Sequence, residues 1–139
     1  MITVTRDIAA CRAIRETVFV GEQSVPRELE WDGLDDQAIH LLATLDGQPA
    51  GTARLLLQGE TGKITRVAVL AHARGTGLGA ALIRAGLDHL RGQPGIRRAK
   101  LGAQLHAIGF YEKLGFTALG PVYDDAGIPH RDMVQDLRP

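Results

Sequence analysis

The segment Arg74-Gly75-Thr76-Gly77-Leu78-Gly79-Ala80 sets three glycines within five residues. It follows the apolar run ITRVAVL and opens LGAALIRAGLDHLR, which has helical periodicity. The first amides of a helix have no partners within it and point outward along the positive end of its dipole. Glycines let such a backbone reach an anion with no Cβ in the way. A phosphate or pyrophosphate is the ligand this segment suits; the plain alternative is a tight turn that needs positive φ. Three phosphate-binding patterns compete. A P-loop ends Gly-Lys-Ser/Thr, whereas this loop ends Leu-Gly-Ala-Ala. The dinucleotide fingerprint is met by Gly75, Gly77 and Ala80. About 20 residues on, where a ribose needs an acid, the chain instead reads Arg97-Arg98-Ala99-Lys100. The third pattern, Arg/Gln-x-x-Gly-x-Gly/Ala, is met by Arg74, Gly77 and Gly79.

Charge is distributed unevenly around this loop. Residues 21–38 hold six acids (Glu22, Glu28, Glu30, Asp32, Asp35, Asp36) and one base, Arg27, while residues 63–100 hold eight bases and only Asp88. The basic half contains the glycine loop, which fits an anionic ligand, and the acidic stretch could face a cationic one. Solvated loops and helix faces are the plainer explanation for any single charge. Two arginines, Arg15 and Arg66, would favour a carboxylate- or phosphate-bearing partner by bidentate pairing, and Glu28, Glu30 and Asp32 a cationic one. The sequence leaves that conflict open.

These residues need a scaffold. A chain of 139 residues, 45% hydrophobic and 23% charged, fits one globular domain over 1–139. The net charge is zero, so charge gives no reason to expect nucleic acid or a membrane. The single cysteine, Cys11, excludes a disulfide framework. No histidine pair has metal-ligand spacing, and no metal is expected. The N-terminus lacks a signal-peptide pattern and no apolar run is long enough to span a bilayer, so a cytoplasmic protein is expected.

MITVT alternates like a strand, and RDIAACRAIRETVFV has helical spacing, with residues 21–38 as a long loop after it. IHLLATL and PAGTARLLL flank Asp46-Gly47-Gln48, a hairpin signal, and a turn at Gly59–Gly62 leads to KITRVAVL. Three consecutive antiparallel strands follow from this. Residues 77–91 predict a helix with Leu78, Leu82, Ile83, Leu87 and Leu90 inward. IRRAKLGA is a strand, LHAIGFYEKL a helix capped at Gly115-Phe116, FTALG a strand, PVYDDAGIP turns, and HRDMVQDL the strand that closes the sheet. The sum is a mixed α/β fold, a meander followed by β-α-β crossovers.

On these motifs the chain resembles the GNAT N-acetyltransferase superfamily over nearly its whole length. ITRVAVLAHARGTGLGAALI looks like that family's strand-loop-helix core, and AIGFYEKLGF like its second cofactor-facing helix. VFVGEQSVPRELEWDGLDDQAIHLLA and AGIPHRDM are similar to the small ElaA-like branch. The resemblance implies a splayed central sheet and a loop, Arg74 to Ala80, that cradles the pyrophosphate of acetyl-CoA. It implies cofactor contacts at Val67, Ala68, Val69 and Gln104, with backbone groups of Val67 and Val69 pairing with the pantetheine and the Val69 amide serving as an oxyanion donor. Tyr111, which periodicity alone places on a packing face with Ala107 and Leu114, becomes the general acid. His130 becomes the base that takes the proton of the amine, since imidazole exchanges a proton near neutral pH. His40 reads as a core residue and His72 and His89 as surface. Arg15, Glu22 and Arg66 are the residues implied on the acceptor side.

The activity implied is transfer of acetyl from acetyl-CoA to an amine of a small molecule or peptide, by direct attack in a ternary complex. A catalytically silent coenzyme A-binding regulatory domain is the alternative from another class, and a dinucleotide oxidoreductase stands third. A homodimer is left open.

Overall fold

Turn chemistry lays down the first half of the sheet. In the computed structural model, which describes residues 1–138, Asp46 (φ 52°) and Gly47 (φ 79°) join β2 (Ile39–Leu45) to β3 (Gln48–Gln58). Positive φ at both positions is what a two-residue type I′ turn requires, and Asp-Gly provides it. Gly59 and Glu60 turn β3 into β4 (Thr61–Val69), and β1 (Ile2–Thr5) pairs antiparallel with β2. The expected meander is therefore present, one strand longer than the three-strand core.

The first helix, α1 (Ile8–Arg15), starts where the Asp7 carboxylate accepts from the Ala10 amide at 3.1 Å, a side-chain N-cap. It runs on as π-helical turns over Glu16–Glu22. The stretch read as a loop, 21–38, instead holds a short helix, α2 (Arg27–Glu30), and a 3₁₀ turn at Asp35–Gln37. Ion pairs described below hold these pieces in place.

The next helix, α3 (Leu78–Arg91), buries Leu78, Leu82, Ile83, Leu87 and Leu90, with Asp88 and Arg91 paired at 3.1 Å on its outer face. Burying each leucine contributes about 1.5–3 kcal/mol. This helix carries the chain from β4 to the parallel strand β5 (Arg98–Gln104). A 3₁₀ turn at Leu105–Ala107 then leads into α4 (Ile108–Glu112). Gly115 (φ 98°) ends α4: its amide bonds to Glu112 and that of Phe116 to Tyr111, the two bonds of a Schellman cap. The Phe116 ring is buried, as the C-cap reading expects.

The last two strands depart from the expectation. PVYDDAGIP is mostly strand, because only Ala126 (φ 54°) and Gly127 (φ 83°) are needed to turn β6 (Thr117–Asp125) into β7 (Ile128–Asp136). Pro129 is tolerated because β7 pairs with β5 only from His130 onward, leaving the missing donor unneeded there. Nor does β7 extend the sheet; it inserts between β5 and β6. The order is β1-β2-β3-β4-β5-β7-β6, mostly antiparallel, with α3 and α4 packed on one face and α1 on the other. Among the described residues no helix is long and apolar enough to cross a membrane.

Candidate active site

The site begins as a fault in the sheet. β4 and β5 pair only at Thr61–Arg98, Gly62–Ala99 and Lys63–Lys100, then diverge while β4 runs on to Val69 and β5 to Gln104. The registers Thr52–Ala68 and Arg54–Thr65 leave two β4 residues, Arg66 and Val67, opposite Ala53 alone. This is a β-bulge, and Arg66 sits in it at φ 52°, an unfavourable conformation for a non-glycine residue. The bulge bends β4 away from β5. A cleft of about 270 Å³ fills the gap, with Arg66, Val67, Gln104, Tyr111, Tyr123 and His130 in its lining. The Leu70 amide bonds to Ala50 on β3 at 2.8 Å, so by strand alternation the Val69 amide faces the open side.

The glycine loop lies where this gap opens. Gly75 and Gly77 have φ of 79° and 83°, and a Cβ on either would meet no protein atom within 4 Å. No side chain caps α3, and Ala81 is the first residue whose amide bonds back, to Gly77 at 3.0 Å. The amides of Leu78, Gly79 and Ala80 are therefore free of the helix's own bonding. Thr76 braces the loop by donating to the Ala73 carbonyl at 2.5 Å. Gly79 abuts the gap, its Cβ position lying 3.8 Å from the Phe110 ring and 3.9 Å from a Val69 methyl. Arg74 donates from Nε to the Val69 carbonyl at 3.1 Å and pairs with Glu22.

Two titratable side chains, His130 and Tyr111, line the cleft. His130 is 9% exposed, and its Nδ1 lies 2.7 Å from the Ile128 carbonyl. A carbonyl only accepts, so Nδ1 carries the proton and the neutral ring keeps a lone pair on Nε2. Tyr111 sits between Phe110 and Phe116, with edge-on ring contacts at 5.0 and 6.0 Å. Burial pushes its phenol pKa up, which keeps the proton on it at neutral pH. Gln104 lines the same cleft, bonded to Gln23 at 3.2 Å and to His106 at 2.8 Å.

Three residues expected at the site lie elsewhere or act otherwise. Ala68 turns its side chain into the core beside Ile14 and Val18, and its register with Thr52 commits its backbone to β3. Arg15 does not reach the cleft: it is 1% exposed, donating to Glu30 at 2.5 Å and to Asp35 at 2.9 Å. Glu22 faces Arg74 of the glycine loop rather than the cleft. Of the acids in 28–36, Glu30, Asp32 and Asp35 are counter-ions to the chain's own arginines. Arg54, 2% exposed, clamps Asp32 at 2.7 and 2.9 Å and reaches Asp35 at 2.9 Å; Arg12 also donates to Asp35, at 2.8 Å. Burial alone would raise the Asp35 carboxyl, but bonds from Arg12, Arg15 and Arg54 outweigh it and hold the pKa well below the usual carboxylate range.

The sequence reading missed Tyr123 and Gly102. Tyr123 lines the cleft, stacks on His130 with ring centroids 6.1 Å apart, and donates to Asp132 at 2.8 Å. A Cβ at Gly102 would collide with the Tyr123 hydroxyl. The available signal was the glycine itself, which interrupts the strand AKLGAQ.

Comparison with known proteins agrees with this geometry. The family model for the Acetyltransferase (GNAT) domain matches residues 7–137. An uncharacterised Bacillus subtilis protein, YyaT, is 34% identical, over 98% of this chain and 93% of its own. The crystal structure of an acyl-CoA N-acyltransferase from Pseudomonas aeruginosa superposes with a TM-score of 0.85 at 32% identity, covering 97% of each chain. That of Escherichia coli ElaA gives 0.85 at 29% identity, over 97% of this chain and 99% of the other. With the split sheet, the glycine loop and the matched domain in agreement, the chain belongs to the GNAT acetyltransferase family.

Proposed function

We propose that this acetyltransferase moves an acetyl group from acetyl-CoA to an amine of a small molecule or peptide, by direct attack in a ternary complex. The observation that carries this reading is the cleft between β4 and β5, where His130 and Tyr111 share one lining. The residues present fit the cofactor: Gly75 and Gly77 hold the loop in an open, positive-φ form, with the unpaired first amides of α3 behind it. Arg74 and the Gly75–Ala80 backbone would hold the pyrophosphate, Leu78 through its amide alone because its side chain is buried. The open edge of β4 at Val67 and Val69, with Gln104 opposite, would hold the pantetheine arm. When bound, acetyl-CoA supplies an acetyl group already activated as a thioester.

The remaining chemistry belongs to the chain. An aliphatic amine, with a pKa of about 10.4, is mostly protonated at neutral pH. The Nε2 lone pair of His130 removes that proton, and the Nδ1–H bond to Ile128 holds the ring in the tautomer able to do so. The Val69 amide is directed at charge developing on the carbonyl oxygen. Tyr111 donates its proton to the departing thiolate. Release of free thiol, followed with a thiol-reactive dye over a panel of amines, tests this reading. Amine-dependent release supports it; tight coenzyme A binding with no release from any amine would replace it with a silent binding domain.

A further inference from the structure

We infer that the acceptor amine of this site carries a carboxylate or a phosphate, which Lys63 and Arg66 receive on the β4 wall of the cleft. This rests on the transfer reading above and names its substrate class. The cleft is lined by two cations, Lys63 and Arg66, and two acids, Glu30 and Asp125, besides histidines. Their availability differs. Glu30 is 2% exposed and held by Arg15 at 2.5 Å. Asp125 is exposed beside the β6–β7 turn, where water screens it. Lys63 is partly buried, and its side chain has no hydrogen bond or ion pair among the described residues.

Arg66 is the under-neutralised member of an ion cluster. Four guanidiniums, Arg12, Arg15, Arg54 and Arg66, meet three carboxylates, Glu30, Asp32 and Asp35. The short contacts belong to the other three arginines; Arg66 has the long ones, 3.3 Å to Asp32 and 3.5 Å to Glu30. Its Nη2 also donates to the Leu29 and Glu30 carbonyls at 3.3 and 3.2 Å. The buried Nε has no hydrogen-bond partner, and no hydrogen bond engages Nη1 among the described residues. Burial, with Arg54 nearby, lowers the Arg66 pKa despite its acidic neighbours, as expected of a cation short of compensation. The strained bulge conformation brings this guanidinium to the cleft wall, and such strain is commonly kept at binding sites. A carboxylate or phosphate would complete the charge balance there while the amine at its other end faces His130.

The test uses the whole chain with coenzyme A bound and four matched amines: β-alanine, 2-aminoethyl phosphate, 3-aminopropanamide and 1,3-diaminopropane. In two-dimensional amide NMR, the two amines that carry an acid group should shift the resonances of residues 63–67 saturably, the amide and the diamine should not, and Lys63→Gln should weaken the response about tenfold. Comparing the first two amines separates carboxylate from phosphate. In steady-state transfer, kcat/KM for an acid-bearing amine should exceed that for the amide at least about tenfold, and Lys63→Gln and Arg66→Gln should each shrink that ratio. Equal or stronger shifts with the diamine, silence with both acid-bearing amines, or a ratio unchanged in both variants would overturn the inference. Because the NMR readout needs no turnover, acid-bearing amines that bind but are never acetylated would count against the transfer reading and not against this one.

Discussion

Replacing Asp35 with alanine tests the ion cluster that holds the segment after α1 against the sheet. Asp35 takes hydrogen bonds from Arg12, Arg15 and Arg54, two of which are almost fully buried. Without it, Arg15 keeps one carboxylate, Glu30, and Arg54 one, Asp32, besides its bond to the Thr65 hydroxyl. Removing one partner of a buried ion cluster costs about 3–5 kcal/mol, because the buried guanidiniums lose charge compensation and hydrogen bonds that water does not replace. That is a large part of a typical total of about 5–15 kcal/mol. At about 3–4 °C per kcal/mol for a chain of this size, Tm should fall by about 10–20 °C. Urea unfolding and thermal melts of Asp35→Ala at pH 7 measure this, with Glu16→Ala as control. Glu16 pairs with Arg27 at the surface, and its loss should cost less than about 1 kcal/mol. If the two variants lie within about 1 kcal/mol of each other, the cluster does not pin this wall of the cleft.

Gly77→Val should fold, since its Cβ meets no protein atom, but it forces a β-branched residue to φ 83° and fills the approach to the loop; calorimetry should show much weaker acetyl-CoA binding. Tyr111→Phe should keep cofactor affinity and lower turnover roughly tenfold to a thousandfold, read by thiol release under conditions where chemistry limits the rate. In His130→Ala the acid limb of the kcat/KM profile should disappear, because a base must be neutral to act, and activity should partly recover at high pH as free amine becomes abundant. The cluster also predicts acid lability. Burial alone would raise the Asp32 carboxyl, but Arg54, the Leu34 amide and Arg66 bring it from 3.8 down to about 2. A carboxyl lowered on folding adds stability above 3.8 that disappears as pH falls toward 2, and Asp35 extends the loss lower still; circular-dichroism melts from pH 5 to 2 should show Tm falling across that window.

The parts of the fold written in local chemistry were legible in the sequence. Asp46-Gly47, the leucine spacing of α3 and the Gly115-Phe116 cap each require only neighbours in the chain. Ala126-Gly127 supplied a hairpin turn too, but the flanking prolines hid it, and that Pro129 escapes the β5 ladder follows only from strand order. The β4 bulge left no local sign, since Arg66 adopts positive φ where a glycine would have announced it. Within the candidate site, the glycine loop could be read because helix ends and glycines have fixed physical consequences. Arg15 could not be placed from charge alone. It lies on the buried stripe of α1 with Cys11 and Ile14, which Val18 continues in the π-helical turns, and an arginine on such a stripe signals a buried counter-ion rather than a substrate contact. Glu22, Glu30, Asp32 and Asp35 misled for the same reason: their partners come from α1, β3, β4 and the glycine loop, distant in sequence.

If the gap between β4 and β5 is the reaction cleft, served by the glycine loop at its mouth, coenzyme A must thread it. A crystal structure of the chain with coenzyme A tests this most directly. The pyrophosphate should lie against the backbone amides of Gly75–Ala80, the pantetheine along the open edge of β4 at Val67 and Val69, and the thiol should face Tyr111 on the side where His130 presents Nε2. Coenzyme A bound away from the β4–β5 gap, or bound there with its thiol remote from both Tyr111 and His130, would contradict it.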